Sequence, residues 1–283
     1  MPVLSYRTLL LTALAMLAFA GNSLLCRLAL RDTAIDPASF TALRLASGAV
    51  ILLLLLRLGS SRLALQGSWS GAAALFVYAG AFSLAYLHLD AGVGALILFG
   101  SVQLGMSGWG LLKGERLTRL QAAGLTLAAL GLGLWLLPGS SAPALSGTLL
   151  MVLAGLAWAC YSLIGRGAGD PLASTAGNFL RATPLGVLML LAFAGSWQVD
   201  GLGLLYALLS GALTSGLGYA LWYAALKGLS AIQGASVQLS VPVIAALLGS
   251  LLLAESLSLR LLLVSAMTLG GIGLVLWGQA RRY

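Results

Sequence analysis

The chain has 283 residues, of which 60% are hydrophobic and only 8% are charged, and its formal net charge is +8. A typical soluble domain carries about 25% charged residues, and its surface needs polar side chains. This composition therefore excludes a soluble globular fold and predicts an integral membrane protein.

Ten apolar stretches follow one another along the chain, each close to the roughly 20 residues that a membrane-spanning helix needs. In chain order they cover residues 7–30, 37–56, 69–89, 92–112, 118–137, 146–168, 171–195, 200–226, 229–252 and 258–279. The runs are continuously apolar, whereas the strands of a membrane β-barrel alternate over segments of about ten residues. The predicted fold is thus all-α, with ten transmembrane helices.

The placement of Lys and Arg accounts for the positive net charge. With the N-terminus in the cytoplasm, ten of the 15 basic residues fall on the inner side, three on the outer side and two within spans. This is the positive-inside pattern of a membrane protein, so it argues against a nucleic-acid partner. It predicts a multi-pass protein with both termini in the cytoplasm and the lipid bilayer as its partner.

Three sequence blocks occur twice, in the same order and at an offset of about 140 residues. They are LAFAGNSLLCR (17–27) and LAWACYSLIGR (156–166), DPASFTALR (36–44) and DPLASTAGNFLR (170–181), and LLKGERLT (111–118) and LLLAESLS (251–258). The repeat divides the chain into residues 1–140 and 141–283, with five helices each. Because five is odd, the second half is inverted in the membrane, a layout typical of transporters with a central site.

Ala18-Phe19-Ala20 in the first block has the small-residue spacing of a signal-peptide cleavage site. The block recurs at 156–166, where no leader can be removed. Its apolar run also continues to Leu30, beyond the roughly 7–15 residues of a signal h-region. We therefore interpret the first stretch as a retained helix.

These blocks resemble the drug/metabolite transporter superfamily, and within it the EamA-type ten-helix exporters. The features that carry the resemblance are the small and polar break Gly21-Asn22-Ser23 in the apolar run of helix 1, its echo Trp158-Ala159-Cys160-Tyr161, the two Asp-Pro motifs followed by Arg, and Pro242 thirteen residues before Glu255. The chain looks most like bacterial inner-membrane amino-acid exporters, including those that export aromatic residues. The resemblance implies helices 1–4 and 6–9 around a central cavity, helices 5 and 10 at the periphery, and export of small amphipathic metabolites by alternating access.

Aromatic and amide residues on the predicted cavity helices are the candidates for substrate binding. Aromatic side chains recur at helical spacing, and such a stripe either packs helices or holds an apolar substrate side chain by burial and stacking. A membrane amide either binds a zwitterion or joins two helices. The predicted substrate-binding residues are Asn22, Tyr78, Phe82, Tyr86, Gln103, Trp158, Tyr161, Trp222 and Tyr223.

Charged residues and prolines in or near the spans are the candidates for gating. An arginine within a span costs at least about 2.5–3.5 kcal/mol on insertion scales, so it faces protein, water or substrate. Glu115 and Glu255 either end a helix before a Thr or Ser N-cap or form a gating ion pair or proton relay. Proline either bends a helix permanently or acts as a hinge. The predicted gating residues are Arg44, Arg181, Pro184, Pro242, Glu115 and Glu255.

Other functional classes have little support in the sequence. HExxH, CxxC and phosphate-binding glycine motifs are absent, so we expect no enzyme, no metal, no cofactor and no direct ATP drive. The inverted repeat favours a transporter over a channel. Uniport or exchange of another metabolite or drug class stays an alternative. The expected partner is a small-molecule substrate, which the resemblance implies to be an amino acid or a similar solute, and no soluble protein partner is implied.

Overall fold

The computed structural model describes residues 5–59, 65–114, 116–134, 143–165, 169–195, 197–229 and 237–280. Within these ranges the chain forms ten helices and no strands. They are α1 (Tyr6–Asp32), α2 (Pro37–Leu58), α3 (Trp69–Tyr86), α4 (Ala91–Leu112), α5 (Arg119–Leu134), α6 (Leu145–Gly165), α7 (Pro171–Ala192), α8 (Gly201–Leu226), α9 (Ser240–Leu253) and α10 (Leu259–Ala280).

The all-helical membrane fold predicted from composition is confirmed, and most helix ends lie within three residues of the predicted stretches. Six of the described helices are long and apolar enough to cross a membrane: α1, α2, α4, α6, α8 and α10. α3, α5 and α9 contain shorter apolar segments. The count of ten spans stays a prediction. α9 is described only from Ser240, whereas the predicted stretch begins at residue 229.

The small and polar residues Gly21-Asn22-Ser23 lie within an uninterrupted α1, which is helical from Tyr6 to Asp32. Pro184 lies inside α7. Pro242 lies in α9, two residues after its first residue Ser240, and Val237 and Gln238 just before α9 are also helical. The hinge roles of both prolines stay predictions.

The repeated sequence motifs start helices in the expected way. Asp36 accepts hydrogen bonds from the backbone N–H groups of Ala38 and Ser39, both at 2.9 Å, and so caps α2. Asp170 caps α7 by accepting from Ala173 N–H at 2.8 Å. The proline that follows each Asp suits the first helical position, since its missing N–H would be unpaired there.

The hydroxyl groups predicted to cap α5 and α10 also do so. Thr118 Oγ1 accepts a hydrogen bond from Gln121 N–H at 3.2 Å, and Ser258 Oγ accepts from Leu261 N–H at 3.1 Å. A side-chain oxygen at the N-cap satisfies one of the free N–H groups of the first turn. The short connections before α5 and α10 are therefore set by local capping.

Helices from the two halves of the chain pack against each other. α3 packs on α6 and α8 packs on α1, while α2 and α7 lie side by side. α4 contacts both α6 and α9, and α5 packs mainly on α10. Gly124 and Gly271 bring α5 and α10 close together, since a Cβ on either would come within 2.5 Å of the other's carbonyl oxygen.

A connecting segment from each half also lies on a helix of the other half. Gln66, before α3, accepts a hydrogen bond from Asp170 N–H at 3.3 Å at the start of α7. Gln198, before α8, exchanges two hydrogen bonds of 3.0 Å with Asp36 at the start of α2. These contacts fix the N-termini of α2 and α7 against the opposite half.

α8 is irregular at its centre, where residues Ser210–Leu217 form a π-helix. Two glycines of this segment let it approach α2 closely. A Cβ on Gly211 would overlap Ser47 Oγ and the Arg44 carbonyl, and a Cβ on Gly216 would overlap Ile51. π-helical turns occur frequently at functional sites, so this segment directs attention to the residues around it.

Candidate substrate cavity

A small cavity of about 20 Å³ lies among the helices and is bordered by both halves of the chain. α1, α3 and α4 contribute from the first half, and α6 and α8 from the second. Its lining residues are Phe19, Asn22, Ser23, Tyr78, Phe82, Leu98, Phe99, Trp158, Thr214, Ser215, Tyr219 and Gln238. Four of the predicted substrate-binding residues are among them: Asn22, Tyr78, Phe82 and Trp158.

One side of the cavity is aromatic. Trp158 lies at the centre of this wall, with its ring centroid 4.8 Å from that of Tyr78 and 5.2 Å from that of Tyr219. Phe82 stacks beside Tyr78 at 5.4 Å. The rings meet at tilted angles, the geometry that aromatic pairs prefer. This wall offers a surface on which a planar apolar group would stack.

A buried polar network borders the same cavity and meets the aromatic wall at Tyr78. Asn22 Oδ1 accepts hydrogen bonds from Ser210 Oγ at 2.8 Å and Thr214 Oγ1 at 3.3 Å. Asn22 Nδ2 points to Tyr78 Oη at 3.5 Å. Asn22 thus joins α1 to both α3 and the π-helical segment of α8, and it holds the Tyr78 hydroxyl at the edge of the cavity.

Arg44 lies directly behind the cavity-lining residues Tyr78 and Ser215. Its side chain is enclosed, with 2% of the residue exposed. Nε donates to Ser215 Oγ at 3.2 Å and Nη2 donates to Tyr78 Oη at 3.1 Å. The guanidinium carbon lies 5.1 Å from the ring centroid of Tyr78 and 5.0 Å from that of Phe82. Nη1 has no hydrogen-bond partner.

Sequence reasoning missed the hydroxyl groups that α8 contributes. Ser210, Thr214 and Ser215 come from the π-helical segment, and each bonds to a predicted site residue, Asn22 or Arg44. The available signal was the cluster of Ser, Thr and Gly at 210–216 inside an otherwise apolar stretch. In the same stretch, the aromatic residues Tyr219, Trp222 and Tyr223 give a stronger signal.

The other five predicted substrate-binding residues do not line the cavity. Gln103 donates to Ser107 Oγ on its own helix at 3.4 Å. Tyr86 is buried, stacks on Phe82 at 4.7 Å and donates to the Ala91 carbonyl. Tyr161, Trp222 and Tyr223 support the lining from behind: Tyr161 stacks on Trp158, Trp222 on Phe19, and Tyr223 packs on the surrounding core.

Glu255 belongs to an ion-pair cluster formed by Arg27, Asp90 and Glu255. Arg27 Nε lies 3.3 Å from Glu255 Oε1, and Arg27 Nη2 lies 3.2 Å from Asp90 Oδ1. Glu255 Oε2 accepts from Ala91 N–H at 2.9 Å, and Arg27 also donates to the Tyr86 carbonyl. The cluster ties α1 to the adjoining ends of α3, α4 and α9.

The Glu255 carboxyl, in the connection between α9 and α10, is nearly enclosed, with 7% of its side chain exposed. Burial raises its pKa above the ordinary value, and the neighbouring Asp90 acts in the same direction. The hydrogen bond from Ala91 N–H and the charge of Arg27 oppose this shift without cancelling it. The ion pair therefore only partly compensates for the loss of hydration.

The remaining predicted gating residues lie away from the cavity. Arg181 Nη1 donates to the carbonyls of Gln66 at 2.8 Å and Gly177 at 3.0 Å, so backbone groups satisfy it. Pro184 lies in the interior of α7 and Pro242 in the first turn of α9. Glu115 lies outside the described residues.

Comparisons with known proteins agree with this architecture. The model of the EamA-like transporter family matches residues 145–277. An uncharacterized protein of Pseudomonas aeruginosa is 65% identical over 271 residues, which are 95% of this chain and 94% of that protein. A crystal structure of another protein aligns with a TM-score of 0.67 over 98% of this chain and 99% of that one. At 21% identity, this last likeness shows the fold alone.

Proposed function

Because the chain belongs to the EamA-like transporter family, we propose that it exports small amphipathic metabolites as a secondary transporter of a bacterial inner membrane. Its most fitting substrates are amino acids with aromatic or other apolar side chains. The observation that carries this proposal is a cavity lined both by aromatic rings and by buried polar groups.

The aromatic rings and the polar groups of the cavity match the apolar side chain and the polar end of such a solute. An apolar side chain stacks against Trp158 and Tyr78 and is removed from water there. The polar end faces the hydroxyl and amide groups around Asn22. Binding sites for small molecules combine a mainly apolar lining with a few placed polar groups in this way.

Alternating access fits the arrangement of the helices. In the proposed topology of ten spans, the halves are inverted repeats, so α3 on α6 corresponds to α8 on α1. The cavity lies between these pairs, and rocking of one half against the other would expose it to each side in turn. The ion-pair cluster of Arg27, Asp90 and Glu255 joins residues of both halves at the proposed outer end. We propose that it holds this end closed.

Transport by purified protein in liposomes tests the proposal. Liposomes loaded with labelled phenylalanine, tryptophan or leucine should release it faster than protein-free liposomes. Nucleosides, sugars and cationic drugs should show no such acceleration. If the other solutes are released and no amino acid is, the substrate assignment is wrong. If none of the tested solutes is released, the protein transports neither amino acids nor these other classes, and the proposal is wrong.

A matched pair of tryptophan variants links transport to the cavity. Trp158→Ala removes the centre of the aromatic wall, whereas Trp277→Ala removes an exposed tryptophan of α10. Each stacked ring pair is worth about 0.5–1.5 kcal/mol beyond area burial. We therefore expect Trp158→Ala to slow amino-acid release several-fold or more, and Trp277→Ala to leave it unchanged. Both variants should be compared at equal amounts of folded protein.

A further inference from the structure

Arg44 is a buried cation without a counter-charge among the described residues. Its hydrogen bonds go to two neutral hydroxyl groups, and Nη1 has no acceptor. The six described carboxylates lie at or beyond helix ends, and none forms an ion pair with Arg44. Arg44 lies seven residues into α2, about 10 Å along its axis. A buried ion without a partner is unfavourable.

The second arginine within a predicted span provides a direct contrast. Arg181 places one nitrogen between two backbone carbonyls, which satisfy it within the protein. The fold thus offers carbonyl acceptors to one arginine, whereas Nη1 of the other has no acceptor among the described residues. This difference leaves Arg44 open to a partner from outside the chain.

The groups around the Arg44 guanidinium connect it to the cavity. Tyr78 and Ser215 accept hydrogen bonds from Arg44, and both line the cavity. A hydroxyl group that accepts a hydrogen bond keeps its own proton to donate. The positive charge behind them strengthens these donors. An anion beside the two hydroxyl groups would accept a hydrogen bond from each of them. Its negative charge would also compensate the positive charge of Arg44.

We propose that the cavity binds its substrate through a carboxylate, held by the Tyr78 and Ser215 hydroxyl groups with Arg44 as the counter-charge. The inference rests on the proposed function, because it takes the cavity as the transport site. It narrows the substrates to organic acids with an apolar body, amino acids included. Arg44 also disfavours cationic drugs at this site, since their charge would add to its own.

Binding of matched ligands tests this assignment independently of transport. Thermal unfolding of the detergent-solubilised protein should be followed with phenylalanine, phenylalaninamide, 3-phenylpropionate and phenethylamine. The first and third carry a carboxylate and should stabilise the protein. The second and fourth lack it and should bind at least about 10-fold more weakly, since a hydrogen bond to a charged group has roughly twice the strength of a neutral one.

Variants of the three residues complete the experiment. Arg44→Gln, Tyr78→Phe and Ser215→Ala should each weaken carboxylate binding, while Arg181→Gln should leave it unchanged in the folded fraction. Tyr78→Phe and Ser215→Ala retain the charge, so they test the assignment even if Arg44→Gln fails to fold. Equal affinity for the acid and its amide would overturn the proposal, as would wild-type affinity for 3-phenylpropionate in both hydroxyl variants.

Inorganic anions distinguish a substrate carboxylate from a simple counter-ion. If chloride or sulfate stabilises the protein in an Arg44-dependent way and no carboxylate does, the substrate assignment is wrong. If the carboxylates bind as expected but liposomes release no amino acid, this inference stands and the proposed function fails. The binding and transport measurements thus separate the two claims.

Discussion

Removal of Arg27 should open the end of the protein that the ion-pair cluster closes. Arg27→Gln takes away the cation between Asp90 and Glu255 and leaves both carboxylates facing each other. An exposed ion pair contributes about 0–1 kcal/mol, and breaking a fully buried one costs about 3–5 kcal/mol. The Arg27 and Glu255 side chains are 13% and 7% exposed, whereas that of Asp90 is 44% exposed.

Because the cluster is partly exposed, we expect the loss of Arg27 to destabilise the closed state by about 2 kcal/mol, between the values for an exposed and a fully buried ion pair. That energy corresponds to a change of roughly 30-fold in the ratio of open to closed protein. Ser23, one helical turn before Arg27, reports on it because it lines the cavity and is 1% exposed. A Ser23→Cys variant should therefore react with a membrane-impermeant maleimide only when the outer end opens.

The labelling experiment should use Cys160→Ser as background, since Cys160 is exposed and Cys26 is buried. In right-side-out vesicles, Arg27→Gln should raise the rate of Ser23→Cys labelling by about 10- to 100-fold, in line with the energy above. Asp32→Asn is the matched control, because the ion pair of Asp32 among the described residues is with its neighbour Arg31 on α1. Equal rates in the wild-type and Arg27→Gln backgrounds would refute a closing role for the cluster.

Three further expectations concern packing, charge and pH. Gly211→Ala should lower the free energy of unfolding by about 1–3 kcal/mol, because the new methyl group meets the α2 backbone, while Gly270→Ala, with open space around it, should not. Arg181→Gln should lower the thermal midpoint but leave the KM for transport unchanged, since Arg181 donates to the backbone carbonyls of Gln66 and Gly177, away from the cavity. Burial raises the pKa of Glu255, so the folded protein holds its proton more tightly than the unfolded chain does. As pH falls from 7 towards the ordinary pKa near 4.5, the wild type should therefore gain thermal stability relative to Glu255→Gln.

The helices could be predicted well because their signals are local. Continuous apolar runs give the spans, and Asp36 and Asp170 start helices through their own side chains with proline directly after them. Thr118 and Ser258 act in the same manner. None of these contacts depends on distant parts of the chain, so the sequence contains all the information that places them.

The cavity could be predicted only in part, because its geometry depends on how helices meet. The spacing of Tyr78 and Phe82 on α3 correctly indicated one wall. On α8, the π-helical segment replaces i→i−4 hydrogen bonds by i→i−5 bonds. It therefore changes which residues share a face.

The two arginines show why sequence blocks alone did not give the site. An alignment of the repeated blocks on their arginines pairs Arg44 with Arg181 and requires a three-residue insertion. The caps give a different register, since Asp36 and Asp170 both start their helices. Eight positions after each Asp lie Arg44 and Asn178. The Asn178 side chain accepts a hydrogen bond from Ser68 N–H at 2.9 Å and is thus bound to another part of the protein.

In the register set by the caps, Arg44 has no cationic counterpart in the second half. Arg181 lies nearly one turn further along α7 and bonds to Gln66 rather than facing the cavity. The buried positive charge behind the cavity thus comes from one half, and Trp158, at the centre of the aromatic wall, comes from the other half. The two halves therefore contribute different side chains to the same cavity. We expect such a cavity to suit a solute with a carboxylate at one end and an apolar group at the other.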